Sequence, residues 1–438
     1  MKIKILLVIA LIITGIIAIS NYAKGQTNFQ EEYNGYLEQA RINAEKEIPY
    51  VSLQYYEKAM KLDNTKEDIY LEYMEQAKAL NEGKYFDVLD KYREVFPQSV
   101  NAYEMLCDFY YEKEMYLQLL PIALEANEKG IATDKIKNYY IECGAKFRIL
   151  SSEFKQAGSF VGEFAIIQTT EDMYGYVNGA GKLISVPKYQ DVTIFMGGQA
   201  AVKLDDKWEM VNPEGYRVAV PSKDVDYLGI VNNGCVLYSL NGKYDYMGSD
   251  LVVPDKETRF EDATHFKNSV AAVKKDGKWG LINSGNEMIT DFIFDDVIRD
   301  EYNTCINNGV IFVKKDGKYY MCNAQGAKIT DKAFDDAYPF VSTEPAAVCV
   351  DGKWGFVDGA GNMVIEPQYE SAKSFNIGYA PVCKDGLWGY INNTNNLRID
   401  YQFIDCKPFS SNGVTSVIQQ NKEEDNRNWI YIILYKYI

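Results

Sequence analysis

The chain has 438 residues, 46 Lys and Arg against 62 Asp and Glu, a formal net charge of −16 and a single histidine, His265. Such an acidic chain repels phosphate backbones, which argues against nucleic acid as a partner. One histidine argues against most zinc sites and against Ser-His or Cys-His catalysis. With 47% hydrophobic residues and 14% aromatics, two to four well-packed domains with a strong strand content are expected.

At the N-terminus, Lys2 and Lys4 precede an apolar run from Ile5 to Ile19, broken only by Thr14 and Gly15. A basic start and a run of this length predict a secretory signal or signal anchor over residues 1–26. The run is short for a spanning helix of about 20 residues, although Ile3 and residues 20–23 extend it. The remainder is then expected outside the cytoplasm, secreted or held at the cell membrane by this segment alone. A buried first helix of a cytosolic protein is the alternative.

Residues 27–155 carry helix formers punctuated by Asn64-Thr65, Asn81-Glu82-Gly83, Pro97-Gln98-Ser99 and Lys129-Gly130. The spacing predicts helices over 29–47, 50–62, 66–81, 84–96, 100–112, 115–129 and 134–149. Helix pairs recur every 31–36 residues. The segment resembles tetratricopeptide-type repeats, with Ala59 at the small position of a second helix. The aromatic-Leu-Gly signature of the first helix is missing, and a plain helical bundle is the alternative.

Residues 160–438 repeat one pattern about eight times. Its clearest copies are Asp276-Gly277-Lys278-Trp279-Gly280, Asp351-Gly352-Lys353-Trp354-Gly355 and Asp385-Gly386-Leu387-Trp388-Gly389. Weaker copies centre on Tyr174, Trp208, Tyr244, Tyr319 and Trp429. These anchors lie 34, 36, 35, 40, 35, 34 and 41 residues apart, and all five tryptophans of the chain occupy this slot. The unit reads as a short apolar strand, an Asp-Gly type I′ turn, the anchor strand, a second tight turn and a third strand. A fourth extended piece follows, such as Phe294-Asp295-Asp296-Val297 or Tyr369-Glu370-Ser371-Ala372. Glycine after the anchor leaves room for a close backbone or ring.

The Asp-Gly-Lys-Trp-Gly core and the follow-on Ile365-Glu366-Pro367-Gln368-Tyr369-Glu370-Ser371-Ala372 resemble the WG-repeat family of bacterial proteins. The resemblance implies an all-β repeat domain, often exported or surface-associated. The whole chain is thus expected to be an α+β multidomain protein. Seven or eight sheets could close as a propeller, which leaves only short edges, or stack as an open β array. Closure is favoured, because no polar capping unit is evident at the C-terminus and the aromatic run Trp429–Tyr437 could pair with the first repeat.

Candidate chemistry is sparse. His265 fills a variable slot before a repeat phenylalanine, where sister copies carry Pro339, Ser374 and Pro408, so it is expected to be structural. The Asp-Gly sites lack EF-hand spacing and read as turns. The acidic pairs Asp295-Asp296 and Asp335-Asp336 recur with the repeat period and read as solvated strand ends rather than glycosidase carboxylates. The anchors Tyr174, Trp208, Tyr244, Trp279, Tyr319, Trp354, Trp388 and Trp429, with Gly280, Gly355 and Gly389, are expected to pack the core, because every copy fills the slot. The eight cysteines contain no CxxC pair and read as small apolar residues. No catalytic, cofactor-binding or metal-binding residue is assigned. The expected function is that of an exported or membrane-anchored, non-enzymatic scaffold binding proteins through its repeat surfaces. The alternative is a protein that binds cell-envelope glycan.

Overall fold

The computed structural model describes residue 14 and residues 26–419 and 428–437. The signal or anchor expected over residues 1–26 therefore lies almost wholly outside the described residues. Among those described, no helix is long and apolar enough to cross a membrane. The chain divides into two units, Met1–Gly144 and Ala145–Ile438.

The first unit is helical. Helices run over 26–45 and then Pro49–Leu62, Glu67–Leu80, Glu82–Val95, Val100–Glu112, Tyr116–Glu128 and Asp134–Gly144. From Pro49 onward each packs on the next. Buried residues fall at helical spacing, as in Leu53-Tyr56-Ala59 and Tyr70-Tyr73-Met74-Ala77. Asn81 and Ser99 cap their helices by accepting from the Lys84 and Ala102 N–H groups. A buried tyrosine needs a partner for its hydroxyl. Tyr56 donates to Glu72 (2.8 Å), Tyr73 to Glu57 (2.8 Å) and Tyr92 to Glu67 (2.6 Å), each on another helix.

The seventh helix corrects an expectation. It stops at Gly144 rather than 149, and the first unit ends there rather than at 155. Phe147–Ile149 forms a strand, pairing Phe147 with Leu434 and Ile149 with Ile432. Helix-compatible residues become extended because a strand edge some 285 residues away in sequence offers hydrogen bonds.

The second unit consists of small antiparallel sheets, one per repeat except that repeats seven and eight share a sheet. Repeat four shows the pattern: Asp262–Ala263, Val270–Lys275 and Lys278–Asn283. The Asp-Gly turns have the two positive φ values of a type I′ turn, 50° at Asp351 and 74° at Gly352. The expected fourth piece straddles two sheets. Its aromatic bridges its own anchor, Trp279 with Phe294 and Tyr319 with Phe334. Its acidic and small residues open the next sheet, where Asp296–Val297 pairs with Ile311–Lys315. One short segment thus chains each repeat to its successor.

Among the described residues, eight core clusters fill the junctions between successive repeats. One joins repeats one and two through Tyr176, Phe195 and Val202, and another joins seven and eight through Tyr390, Phe403 and Phe409. The last joins eight to one, packing Tyr431 and Val414 against Phe154, Phe160 and Ile167. The side chain two residues after the anchor makes the same bond across four junctions. Tyr176, Tyr246 and Tyr390 donate to the Thr193, Thr264 and Lys407 carbonyls of the following repeat. Tyr431 donates to Gly158 O of the first (2.8 Å), the matching position.

Candidate functional site

The anchor slot has a geometric cause. In repeat six Trp354 pairs with Tyr369 and Phe356 with Ile365, so residues 366–368 bulge out of register over Gly355. A Cβ on Gly355 would lie 2.5 Å from Ile365 O and 2.7 Å from Pro367 N. One on Gly389 would lie 2.6 Å from Ile399 O. Gly280 is less confined, with its nearest backbone oxygen at 3.2 Å. Glycine follows the anchor because the returning backbone lies on it. Repeat three carries Asp245 in that slot. It is fully buried and held bidentately by Arg259 at 2.9 and 2.7 Å.

The anchors themselves differ in burial. Trp208, Trp279 and Tyr319 are buried, whereas Tyr174, Tyr244, Trp354, Trp388 and Trp429 are half-buried. Cations cover several: Lys373 Nζ sits 4.8 Å from the Trp388 ring centroid and Lys407 Nζ 5.8 Å from that of Trp429.

The acidic residue after each repeat aromatic has a specific task, finer than the solvated strand end expected of it. Asp295, Asp335 and Glu370 accept from the Asp316, Asp351 and Gly386 N–H groups at 2.9, 2.7 and 3.1 Å. Each carboxylate caps the Asp-Gly turn of the sheet it leads. Hydrogen bonds from Lys278 and Lys318, joined by those from the turn N–H groups, hold the Asp295 and Asp335 carboxyls below the usual carboxylate range.

His265 is buried. Its Nε2 meets the Tyr227 hydroxyl at 3.0 Å, and its Nδ1 has no partner among the described residues. Burial pushes its pKa down to about 4. Its ring fills the space over Gly229, where a Cβ would meet His265 Cε1 at 2.2 Å. The cysteines are all free thiols. Burial pushes those of Cys107 and Cys406 up to about 12, away from the reactive thiolate.

The chemistry-bearing residues that do converge lie elsewhere. The 40-residue interval between Trp279 and Tyr319 contains an insertion, Asp300–Thr304. Asp300 organises it, accepting from Thr304 N (2.8 Å), Thr304 Oγ1 (2.6 Å) and Tyr302 N (3.0 Å). His265 N donates to Asn303 O at 2.8 Å and ties the loop to repeat four. The loop's tip, Glu301 and Tyr302, then reaches repeats one and eight. Glu301 Oε2 lies 2.5 Å from Lys407 Nζ and 3.4 Å from Ser159 N. The Tyr302 hydroxyl donates to Ser159 O at 3.3 Å. Burial raises the Glu301 pKa, but Lys407 and the hydrogen bonds outweigh it and leave the pKa below its ordinary value.

Two cavities meet at this tip, one of about 320 Å³ and one of about 510 Å³. Both are lined by Ser159, Glu301 and Tyr302. The first adds Lys267, Tyr338 and Asn376, and the second Gln156, Tyr174 and Trp429. Of the repeat anchors expected from the sequence, Tyr174 and Trp429 belong here. Glu301, Tyr302 and Lys407 are not assigned from the sequence; the 40-residue interval is the one sequence signal for Glu301 and Tyr302, and Lys407 has none.

No curated protein matches the chain. Among solved structures, the chain is similar to one titled "Crystal structure of the eukaryotic initiation factor" (13% identity, 65% of this chain and 86% of that chain, TM-score 0.44). It is also similar to BamB from Moraxella catarrhalis (10%, 66% and 100%, 0.41) and to the dihydro-heme d1 dehydrogenase NirN (10%, 70% and 82%, 0.41). At these scores the architecture rests on the strand pairing, not on the likenesses. The family described as WG containing repeat matches residues 174–208, 257–279, 279–319, 321–354, 354–388 and 388–422. The gap covers repeat three, where Asp245 replaces the glycine. WG repeats are therefore found across residues 174–422, in the segments 174–208, 257–319 and 321–422.

Proposed function

We propose that this chain is an extracytoplasmic, non-enzymatic scaffold that binds protein partners through its repeat surfaces and is secreted or held at the cell membrane by residues 1–26. Its β unit is read as a closed propeller of eight repeats, and its helical unit as a tetratricopeptide-like array. The Tyr431–Gly158 bond supports closure, because it repeats between the last and first repeats the junction found between internal ones. The observation that carries the functional reading is how the polar groups are used. The Glu301 carboxylate joins repeats to one another, and the recurrent acids cap turns. Side chains suited to chemistry serve architecture, which leaves the outer surfaces for partners.

The test is capture on the immobilised full chain from two envelope fractions: cell wall stripped of protein, and solubilised envelope proteins. Saturable, salt-resistant capture of a defined envelope protein supports the reading. Binding to stripped wall alone overturns it in favour of the glycan alternative. Localisation is tested by adding protease to intact cells. The repeats should be degraded, and full protection with recovery in the cytosolic fraction overturns export.

A further inference from the structure

The smaller cavity, about 320 Å³, draws its walls from repeats one, four, five, six, seven and eight. That volume lies at the lower end of the range for small-molecule sites. Its charges are already matched within the protein. Asp300 is saturated by Thr304 and Tyr302 N and lies 3.7 Å from Lys267 Nζ. Glu301 is held by Lys407 and Ser159. An ionic ligand would have to break one of these pairs to gain a partner of its own. An anion meets a second obstacle. Burial and the carboxylates of Glu301, Asp405 and Asp300 push the Tyr338 phenol well above its ordinary pKa, which marks a negative potential there.

The groups left over are neutral. The Tyr338 hydroxyl makes no hydrogen bond among the described residues. Asn376 donates through Nδ2 to Phe409 O (2.8 Å), which leaves its Oδ1 as an acceptor. The Ser411 hydroxyl completes a set of donors and acceptors against apolar walls from Phe160, Pro339 and Pro408. Uncharged hydrogen-bonding groups facing apolar surface suit a ligand with hydroxyls around its rim and a C–H face.

We propose that this cavity binds a neutral, polyhydroxylated ring, a single uncharged sugar residue. The inference rests on the binding-protein reading above and adds to it a small ligand distinct from the protein partner. Sugar hydroxyls would bond to Tyr338, Asn376 and Ser411 while one ring face packs on the prolines.

The experiment titrates the full chain with glucose and N-acetylglucosamine, and with their charged relatives glucuronate and glucosamine, by calorimetry. Saturable binding of a neutral sugar at least about tenfold tighter than the charged ones is expected, one decade being the yield of one well-made hydrogen bond. Tyr338→Phe should weaken it by about tenfold. Val341→Trp, at an exposed position on the cavity mouth, should abolish binding while the thermal transition stays in place. That variant keeps the test sound should Tyr338→Phe fold poorly. No saturable binding of either neutral sugar, equal binding of charged sugars, or full binding by Val341→Trp overturns the proposal. Failure here with envelope-protein capture intact removes the sugar site alone. Loss of that capture with sugar binding intact removes the scaffold reading alone.

Discussion

Tryptophan and glycine of the repeat core do different work, and their substitutions should separate. Trp279 is 2% exposed within a cluster containing Leu281, Phe294 and Val297. Trp279→Ala should cost about 3–5 kcal/mol, as large aromatic truncations do, measured by denaturant unfolding. Trp354, half-buried, should cost less. A wild-type midpoint for Trp279→Ala would mean that the slot does not serve the core. Gly355→Ala drives a methyl into backbone, whereas Gly280→Ala meets its nearest backbone at 3.2 Å. The first should lose roughly 1–3 kcal/mol and the second less, and the reverse order would contradict the bulge as the reason for the glycine.

His265 sets a pH dependence at the same scale. Its folded pKa, about 4, lies below the ordinary 6.5, so the unfolded chain binds the proton first on acidification. Stability attached to its neutral form is complete above pH 6.5. It falls as pH drops toward 4 and is flat below, for a total of about 3 kcal/mol. Unfolding of the wild type and His265→Asn between pH 7 and 4 checks this. The difference between them should narrow as pH falls, and a constant difference would count against a buried neutral imidazole.

At the scale of elements, the inserted loop 300–304 acts as a clasp. It is fixed to repeat four by His265 N and Asn303 O, and its tip holds Ser159 of repeat one and Lys407 of repeat eight. These two repeats are the ones whose junction packs the first strands of the β unit on its last. Glu301→Ala leaves the half-buried Lys407 ammonium without its partner. Amide exchange should therefore quicken first in Phe164–Gln168 and Val414–Gln419, the middle strands beside that junction, with little change in Ala346–Val350. Uniform acceleration, or change confined to the loop, would show that the contact is local decoration. The 40-residue interval from Trp279 to Tyr319 leaves room for the loop. It carried no sign of which repeats the tip would meet, since those contacts join residues 106 and 142 positions apart.

At the scale of the whole molecule, the proposed ring makes the β unit one cooperative system. Truncation after Lys422 removes Trp429–Leu434 and with it the partner of both Phe147–Ile149 and Val414–Gln419. An open array would lose about one interface and keep the rest folded. A closed one should lose much of its stability in a single transition. Thermal unfolding of the full chain with and without residues 423–438 separates them, and a β transition at nearly the same temperature would mean the array is open.

The sequence by itself determined whatever depends on neighbours a few residues away. The helices follow from apolar spacing and from caps such as Asn81 and Ser99. The hairpins follow from Asp-Gly dipeptides whose two residues accept positive φ. The repeat follows from recurrence of the anchor and of the aromatic that bridges back to it. Only the tertiary structure decided what depends on distant partners. Phe147–Ile149 is a strand because Trp429–Leu434 offers an unpaired edge. Asp295 and Asp335 are caps because a turn some 16 to 21 residues on presents its N–H groups. Glu301 lies against Lys407 because the folded β unit brings both to the wall of one cavity. Local sequence sets backbone preference within a turn or two, whereas strand edges and ion pairs are filled by whichever group the folded chain brings within hydrogen-bonding distance.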